Sequence, residues 1–545
     1  MLEQNNVTRL DGVAGLKKHR MRPTGIAFML YCLVAAGAFG IEEMIPISGP
    51  GLTLTMLIVF PIIWALPICL TVSELSAFMP AEGGIYVWVK EALGEFWGFL
   101  MGWWGTISIY LSNAVYVVLI VGYAQKFIPM TDMQAVVVKV GIVLIFTVIN
   151  LLGLKEVSAV STILSIIILI AFAGIAVVGF ANWNFNPFIP FTPEGQPVIE
   201  SLGGSICIVI WMYCGYECVS NMAGEIENPE VIPKGFMIAM PLIALSYVLP
   251  TMAGIASIGQ WESWGTEGEA VVGYMDVFIQ NLGAVWGVVF LAVAIISQCA
   301  IFNAYIAAGS RGFFVLADDK LCPKFLVKVS QKRGVPYLAI LLLSATTMVM
   351  MNFDFSTLLT FLMPLAIMVY VILAIALLVL RKKYPVEERG NVYYIKGNKW
   401  VIRLIAAAPF VIGIIGLLVN GTEYFLLGFV SIGSGVVAYI IFKLMYGGLY
   451  KLDPEKYPIN PKTRFALGDV TRFGAYLLTF GAYAFVGSFF LVWYEGDWGA
   501  EYYLEMYETG LASNFDLMID IARYGGLIAL IIGIALFFLG RKYDK

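Results

Sequence analysis

The sequence predicts an all-α integral membrane protein. Of its 545 residues, 60% are hydrophobic and 13% are charged, whereas an ordinary soluble domain carries roughly 25% charged residues. Apolar stretches long enough to cross a hydrocarbon core of about 30 Å recur along the whole chain. Because lipid tolerates no open sheet edge, we expect these stretches to be helical. We identify about fourteen transmembrane helices, which start near residues 25, 53, 96, 134, 158, 201, 235, 272, 336, 356, 402, 424, 472 and 519.

The distribution of Lys and Arg predicts the orientation. When fourteen spans alternate from a cytoplasmic N-terminus, every basic residue except Lys126, Lys139 and Arg523 falls on the cytoplasmic side. Basic residues concentrate in cytoplasmic loops of membrane proteins. We therefore expect a multi-pass protein of the cell membrane with both termini in the cytoplasm.

A basic loop divides the chain. Arg381, Lys382 and Lys383, followed by Pro385, separate the first ten spans from the last four. The last four spans contain few polar groups inside the membrane, which is typical of scaffold or oligomer contacts. We predict four segments: a cytoplasmic N-terminal segment (1–24), a ten-helix core (25–381), a cytoplasmic loop (382–401) and four additional helices (402–545).

Two spans of the first ten contain interruptions five helices apart. Glycine costs about 1 kcal/mol relative to alanine in a helix, and a charge at mid-membrane costs roughly 2.5 to 3.5 kcal/mol. Such a pair of interruptions is typical of inverted five-helix repeats with broken first helices. The interrupted segments are Gly37-Ala38-Phe39-Gly40-Ile41-Glu42-Glu43 in span 1 and Trp211-Met212-Tyr213-Cys214-Gly215-Tyr216-Glu217 in span 6.

These breaks predict a binding site for a small amine. An unwound segment exposes backbone N–H groups that attract a carboxylate, while side-chain carboxylates and aromatic rings bind an ammonium group. Glycines alone are also compatible with close helix packing, but the intramembrane carboxylates favour a functional site. The candidate substrate-binding residues from the two breaks are Gly37, Ala38, Phe39, Gly40, Glu42, Trp211, Tyr213, Gly215, Tyr216 and Glu217.

Four carboxylates are candidates for coupling or gating. Glu217 and Glu42 are the candidate titrating groups, and Glu43 lies on a different face, nearer the outer surface. Glu74 is close to the cytoplasmic end of span 2, where we expect it to pair locally and to be structural or gating.

Around these residues the chain resembles the amino acid, polyamine and organocation transporter superfamily, over roughly residues 20 to 450. The first break and the stretch FPIIWALPICLTVSELSAFMPAEGGIYVWVKEALGEFWGF resemble the polyamine and L-amino acid transporter branches. Span 6 is similar to the W-x-[FY]-x-G-x-E pattern of exchangers for basic amino acids and polyamines, and Ala317-Asp318-Asp319-Lys320-Leu321-Cys322-Pro323 resembles the superfamily's loop after helix 8.

The resemblance implies a leucine-transporter-like 5+5 inverted-repeat core. It implies that the backbone from Gly37 to Gly40 holds a carboxylate, that Trp211 closes over the substrate and that Glu217 links binding to gating. It adds Asn113 in helix 3, and Tyr305 with the nearby Asn303 in helix 8, to the candidate site. Some relatives use a helix 5 lysine as a proton-linked switch, but residues 157–180 contain no basic residue.

The expected function is secondary active transport by alternating access, coupled to protons or to exchange. The substrate is an amino acid or a polyamine-like organic cation, and the sequence leaves that choice open. A nutrient sensor or a channel is the alternative. The single histidine, His19, lies outside the spans, and Cys214 and Cys218 have no nearby histidine or second pair, so we expect no enzyme, no metal site and no cofactor. The expected partners are a small amine and the lipid bilayer, with no nucleic acid, in a monomer or homodimer.

Overall fold

The computed structural model describes residues 19–543 except 36, 126–127, 266–271, 497 and 508, so most of the predicted N-terminal segment lies outside the described residues. Within the described part the chain is almost entirely helical, and its β pairing consists of isolated bridges. The predicted all-α class is confirmed.

Eighteen α-helices organise the described residues. In chain order they are α1 Pro23–Val34, α2 Met44–Ser48, α3 Pro50–Phe78, α4 Gly84–Leu93, α5 Glu95–Gln125, α6 Asp132–Leu152, α7 Leu154–Ala181, α8 Val198–Met212, α9 Val231–Ile258, α10 Tyr274–Leu282, α11 Ala284–Asp318, α12 Tyr337–Met350, α13 Phe355–Lys383, α14 Lys399–Val419, α15 Thr422–Tyr446, α16 Asp469–Glu495, α17 Gly499–Tyr507 and α18 Phe515–Tyr543, with one π-helical turn inside α3.

Twelve helices among the described residues are long and apolar enough to cross a membrane, and α1 and α12 are shorter apolar helices. With one exception, each predicted span starts within about one helical turn of the first residue of one of these fourteen helices. The count of fourteen spans, the inverted repeat and the four-segment division stay predictions.

The exception is the eighth span, whose predicted start near residue 272 is wrong. The spanning helix α11 begins only at Ala284, after the separate short helix α10. Gly283 adopts φ 97°, a left-handed conformation that glycine tolerates best. Its N–H donates to the carbonyl oxygens of Phe278 and Ile279 and so ends α10.

Helix α5 packs against both α11 and α13 in the centre of the bundle, and α1, α7 and α9 pack against one another, with α1 and α7 also packed onto α11. The later helices join this core through α14, which packs on α13, and α15, which packs on α13 and α5. Helices α16 and α18 form a close antiparallel pair, in which a Cβ on Gly481 would lie 2.7 Å from the backbone nitrogen of Leu530. Small residues allow this close approach of two helices.

Both predicted interruptions are confirmed. After α1 ends, Gly37 and Gly40 adopt φ 108° and 92°, and the chain makes a 3₁₀ turn, Ile41–Glu43, before α2. After α8 ends, Gly215 adopts φ 104° and a 3₁₀ turn follows at Tyr216–Asn221. The positive φ values explain why glycine occupies the centre of each break.

Candidate functional site

The two helix breaks lie against each other in the core. A Cβ on Gly215 would meet the carbonyl oxygen of Leu33, at the end of α1, and lie 2.9 Å from the Tyr305 hydroxyl. A Cβ on Gly40 would lie 3.2 Å from the indole of Trp211. Glycine at these two positions therefore allows the two unwound segments to approach each other, and it also allows their positive φ values.

A small cavity lies between these breaks. Its volume is about 10 Å³, so it holds at most one water molecule. The structure therefore shows a closed central cavity, and a larger solute enters only if its walls move. It is lined by Val34, Ala35, Phe39, Tyr116, Trp211, Met212, Gln298 and Ile301.

Three of the eight residues that line the cavity are aromatic: Phe39, Tyr116 and Trp211. Trp211 stacks on Tyr116, with ring centroids 6.2 Å apart, and meets Phe355 edge-on at 5.8 Å. On the other side, Phe39 packs edge-on against Phe172 at 4.9 Å. Aromatic faces attract cations, and the described lining includes no Lys or Arg. The cavity is therefore suited to a positively charged group.

The first break already contains an internal carboxylate. The backbone N–H of Gly40 donates to Glu42 Oε2 at 2.9 Å, and Glu42 is buried. The Gly40 N–H, which was predicted to bind a substrate carboxylate, therefore already donates to a side chain of its own segment. A substrate carboxylate would have to compete with Glu42 for this N–H.

The second break is attached to α13 through Glu217. Tyr370 donates a short hydrogen bond from its hydroxyl to Glu217 Oε2, and the same hydroxyl accepts from the backbone N–H of Gly215 at 2.9 Å. One tyrosine therefore joins the carboxylate and the unwound backbone of this break to a neighbouring helix. Any movement of Glu217 must break these hydrogen bonds or move Tyr370 together with it.

Of the thirteen predicted substrate-binding residues, only Phe39 and Trp211 line the cavity. Gly37, Ala38, Gly40, Glu42, Gly215 and Glu217 belong to the adjoining breaks without lining it, and four further residues make contacts elsewhere. Tyr213 donates to the Leu57 carbonyl at 2.9 Å, and Asn303 accepts from Asn150 Nδ2 at 3.1 Å. Asn113 donates to its own helix, and Tyr216 packs near Phe236; the lining of the cavity includes none of these four residues. Tyr305 reaches the site through an edge-on contact with Tyr116 at 5.2 Å.

The two remaining carboxylates lie apart from the cavity. Buried Glu74 accepts from Arg381 Nε at 2.8 Å, from an Arg389 guanidinium nitrogen at 2.9 Å and from the Ile395 N–H at 2.8 Å. It thereby fixes the loop after α13 to α3. Glu43 lines a second cavity of about 910 Å³ between the core and the later helices, together with Glu200, Asp354, Glu423, Glu495 and several aromatic residues.

Three polar residues of the site were missed in the sequence: Tyr116, Gln298 and Tyr370. Gln298 Oε1 is buried, lines the cavity and has no hydrogen-bond partner among the described residues. Gln298 lies seven residues before Tyr305 and so shares its helix face, and Tyr370 is an isolated hydroxyl in an apolar run. Both signals were present in the sequence. The described residues contain no group of three or more His, Cys, Asp or Glu side chains that could hold a metal ion.

Apolar helices around two adjoining breaks and a closed cavity define a multi-pass membrane transporter. The family model described as amino acid permease matches residues 25–446, and the chain belongs to this family. It is similar to two probable polyamine transporters of Arabidopsis thaliana, one 29% identical over 62% of this chain and 66% of that protein, the other 28% identical over 76% and 85%. It is also 25% identical to the gamma-aminobutyric acid permease of Bacillus subtilis, over 83% of this chain and 97% of that protein.

Proposed function

We propose that this protein is a secondary transporter that moves amine-bearing solutes by alternating access, with the central cavity as its substrate site. The observation that carries the proposal is the meeting of two interrupted helices at one closed, aromatic-lined cavity. Unwound helices at mid-membrane supply polar backbone for a solute while their flanking halves move with the gates. Trp211 and Phe355 would form the barrier between the central cavity and the larger cavity that Phe355 also lines.

The contents of the site favour a cationic amine. Glu42 already satisfies the Gly40 N–H, Gln298 offers an unused acceptor, and Glu217 lies at the second break. An ammonium group can use these oxygens and the faces of Trp211 and Phe39. The similarity to polyamine transporters agrees with a polyamine-like cation. An amino acid is the second candidate, because the chain is also similar to an amino acid permease.

The membrane setting belongs to the same proposal. The protein lies in the cell membrane with both termini in the cytoplasm, as the distribution of Lys and Arg indicates. Transport is coupled to protons or to exchange of one amine for another.

A ligand screen followed by counterflow tests this proposal. We expect spermidine or putrescine to raise the thermal unfolding temperature of the purified protein, and proteoliposomes loaded with that amine to accumulate its labelled form. Stabilisation by amino acids instead would select the second candidate, whereas no stabilisation and no counterflow with any amine would contradict the proposal.

A matched pair of tryptophan variants locates the site. Trp211→Ala should remove the amine-induced stabilisation, because Trp211 forms part of the cavity wall. Trp400→Ala should keep it, because Trp400 is exposed and distant in sequence from both breaks. Equal loss in both variants would mean that the amine does not bind in the central cavity.

A further inference from the structure

A cluster of three charged side chains is buried where the loop between α3 and α4 meets the segment after the second break. Arg311, on α11, lies 2.8 Å from Glu225 Oε1 and 3.7 Å from Glu82 Oε1, measured from its Nε atom. All three residues are almost completely buried, with 2%, 1% and 4% of their surfaces exposed. Arg311 also donates to the Ala307 carbonyl and the Ser310 hydroxyl of its own helix.

The charges in this cluster do not balance. Two carboxylates face one guanidinium, and the nearer one, Glu225, receives its hydrogen bond. Neither oxygen of Glu82 has a hydrogen-bond donor among the described residues. A buried carboxylate without donors is costly and usually takes up a proton instead. The cluster therefore holds one negative charge more than its surroundings stabilise.

Burial and the Glu225 carboxylate both favour the protonated form of Glu82. Its loop lies outside the membrane-spanning helices, and the charged groups that face it are Glu225 and Arg311. Burial raises the pKa of Glu82 well above its ordinary value, and the Glu225 carboxylate raises it further, against the opposing effect of Arg311. A protonated Glu82 can donate to Glu225, and this hydrogen bond also raises the pKa of Glu82.

We propose that Glu82 is a proton-binding site that couples proton movement to transport: it holds a proton while the Glu82–Glu225–Arg311 cluster is closed and releases it to water when the cluster opens. This rests on the proposed transport function. The released proton leaves Glu82 as a carboxylate, and rebinding restores the neutral acid when the cluster closes again.

The backbone connects this site directly to the second helix break. Glu82 pairs with Met222 in an isolated bridge, and the N–H of Gly83 donates to the Asn221 carbonyl at 3.1 Å. Asn221 ends the 3₁₀ turn that contains Glu217. A Cβ on Gly224 would lie 2.8 Å from Glu82 Oε2, so that segment covers the carboxylate. Movement of the turn beside the substrate cavity therefore uncovers Glu82 and admits water.

Proteoliposomes separate coupling from transport itself. For wild-type protein we expect a pH gradient, without a sodium gradient, to drive accumulation of an amine that also shows counterflow. In Glu82→Gln, which cannot exchange a proton, the ratio of gradient-driven accumulation to counterflow should fall at least tenfold. Glu82→Asp should restore most of the ratio, because it keeps a titratable carboxyl. Glu227→Gln, which removes an exposed carboxylate of the same segment, should leave the ratio at the wild-type value.

Thermal unfolding gives an independent measurement. A raised pKa in the folded state stabilises the protein at low pH, and this contribution is lost as pH rises from the ordinary value of 4.5 through the raised one. The unfolding temperature of wild-type protein should therefore fall with pH relative to that of Glu82→Gln.

An unchanged accumulation ratio in Glu82→Gln, or accumulation that follows sodium and not pH, overturns the assignment while leaving counterflow and the proposed transport function intact. Absence of wild-type counterflow with every amine overturns the transport function, and the coupling role with it.

Discussion

The part of the molecule before the basic loop and the part after it differ in how many of their buried polar atoms have hydrogen-bond partners. Among the described residues whose buried side-chain nitrogen or oxygen atoms have no hydrogen-bond partner, all except Ser431 lie between residues 31 and 303. In the later helices, the buried side chains of Lys443, Asp469 and Glu495 each have a hydrogen-bond partner. The partner of Lys443 is Glu95 on α5. Because an unsatisfied buried polar atom is costly, the first part carries more of this cost than the later helices, and Gln298, one of these residues, lines the central cavity.

The later helices are joined to the core by a buried network of charged and hydroxyl groups. Lys443 Nζ lies 2.5 Å from Glu95 Oε1, and the Tyr439 hydroxyl oxygen lies 3.3 Å from the same Glu95 oxygen. Tyr439 donates in turn to Asp469 at 2.5 Å, and Arg472 donates to the same carboxylate at 2.8 Å. This network connects α5 of the core with α15 and α16. Such an arrangement fixes the later helices to the core, in agreement with the predicted scaffold role.

The largest effect on stability should follow from breaking this network at its buried ion pair. Lys443→Met leaves Glu95 as a buried carboxylate without its cation, and removing one partner of such a pair costs about 3–5 kcal/mol. We expect a strongly lowered unfolding temperature in detergent. The double variant Lys443→Met with Glu95→Gln should recover part of the loss. A single variant as stable as wild type would show that the network does not anchor the later helices.

The opposite result is expected at the second helix break. Glu217→Gln should lower amine uptake roughly tenfold to a hundredfold, since a hydrogen bond to a charged group contributes about 1.5–3 kcal/mol, while the unfolding temperature changes little. The matched control is Asp469→Asn, another buried carboxylate that accepts from a tyrosine hydroxyl, that of Tyr439, and that lines neither cavity. Uptake should be unaffected there. If uptake, affinity and pH dependence in Glu217→Gln equal those of wild type, Glu217 has no role in transport.

A smaller effect, on substrate affinity, is expected at Gln298, whose Oε1 is the unused acceptor of the central cavity. Gln298→Met keeps the length of the side chain and removes Oε1, so substrate affinity should fall about tenfold if an ammonium group binds there. Stability should stay equal or rise slightly, because an unsatisfied atom disappears. Ser431→Ala removes the corresponding unsatisfied atom of the later helices and should not change affinity. Wild-type affinity in Gln298→Met would exclude this residue from the substrate site.

The sequence predicted the features that depend on local chemistry. Gly40 and Gly215 marked the breaks because a positive φ needs glycine, and long apolar runs marked the helices. Features decided by distant partners were not predictable in this way. Tyr213 faces the Leu57 carbonyl and Asn303 faces Asn150, each through contacts more than 150 residues apart in sequence. Spacing within one helix does not show which face meets the cavity.

The partner of Glu82 could not be predicted for the same reason. Its proximity to Arg311 and Glu225 depends on three separate chain segments that meet only in the folded protein. By contrast, Gln298 was within reach of sequence reasoning, because it lies on the helix face of Tyr305. An isolated amide on the face of a candidate site residue is thus a stronger signal than an amide nearby in sequence, such as Asn303.

The smallest expected effect tests whether the network of the later helices is purely structural. Tyr439→Phe removes the hydroxyl that donates to Asp469, while Arg472 and the Ala466 N–H still satisfy that carboxylate. The expected destabilisation is about 1 kcal/mol, as for a typical hydrogen bond, and amine uptake per folded molecule should equal that of wild type. A reduced uptake at wild-type stability would instead show that the later helices take part in the transport cycle, and the distinction between the two parts of the molecule would be wrong.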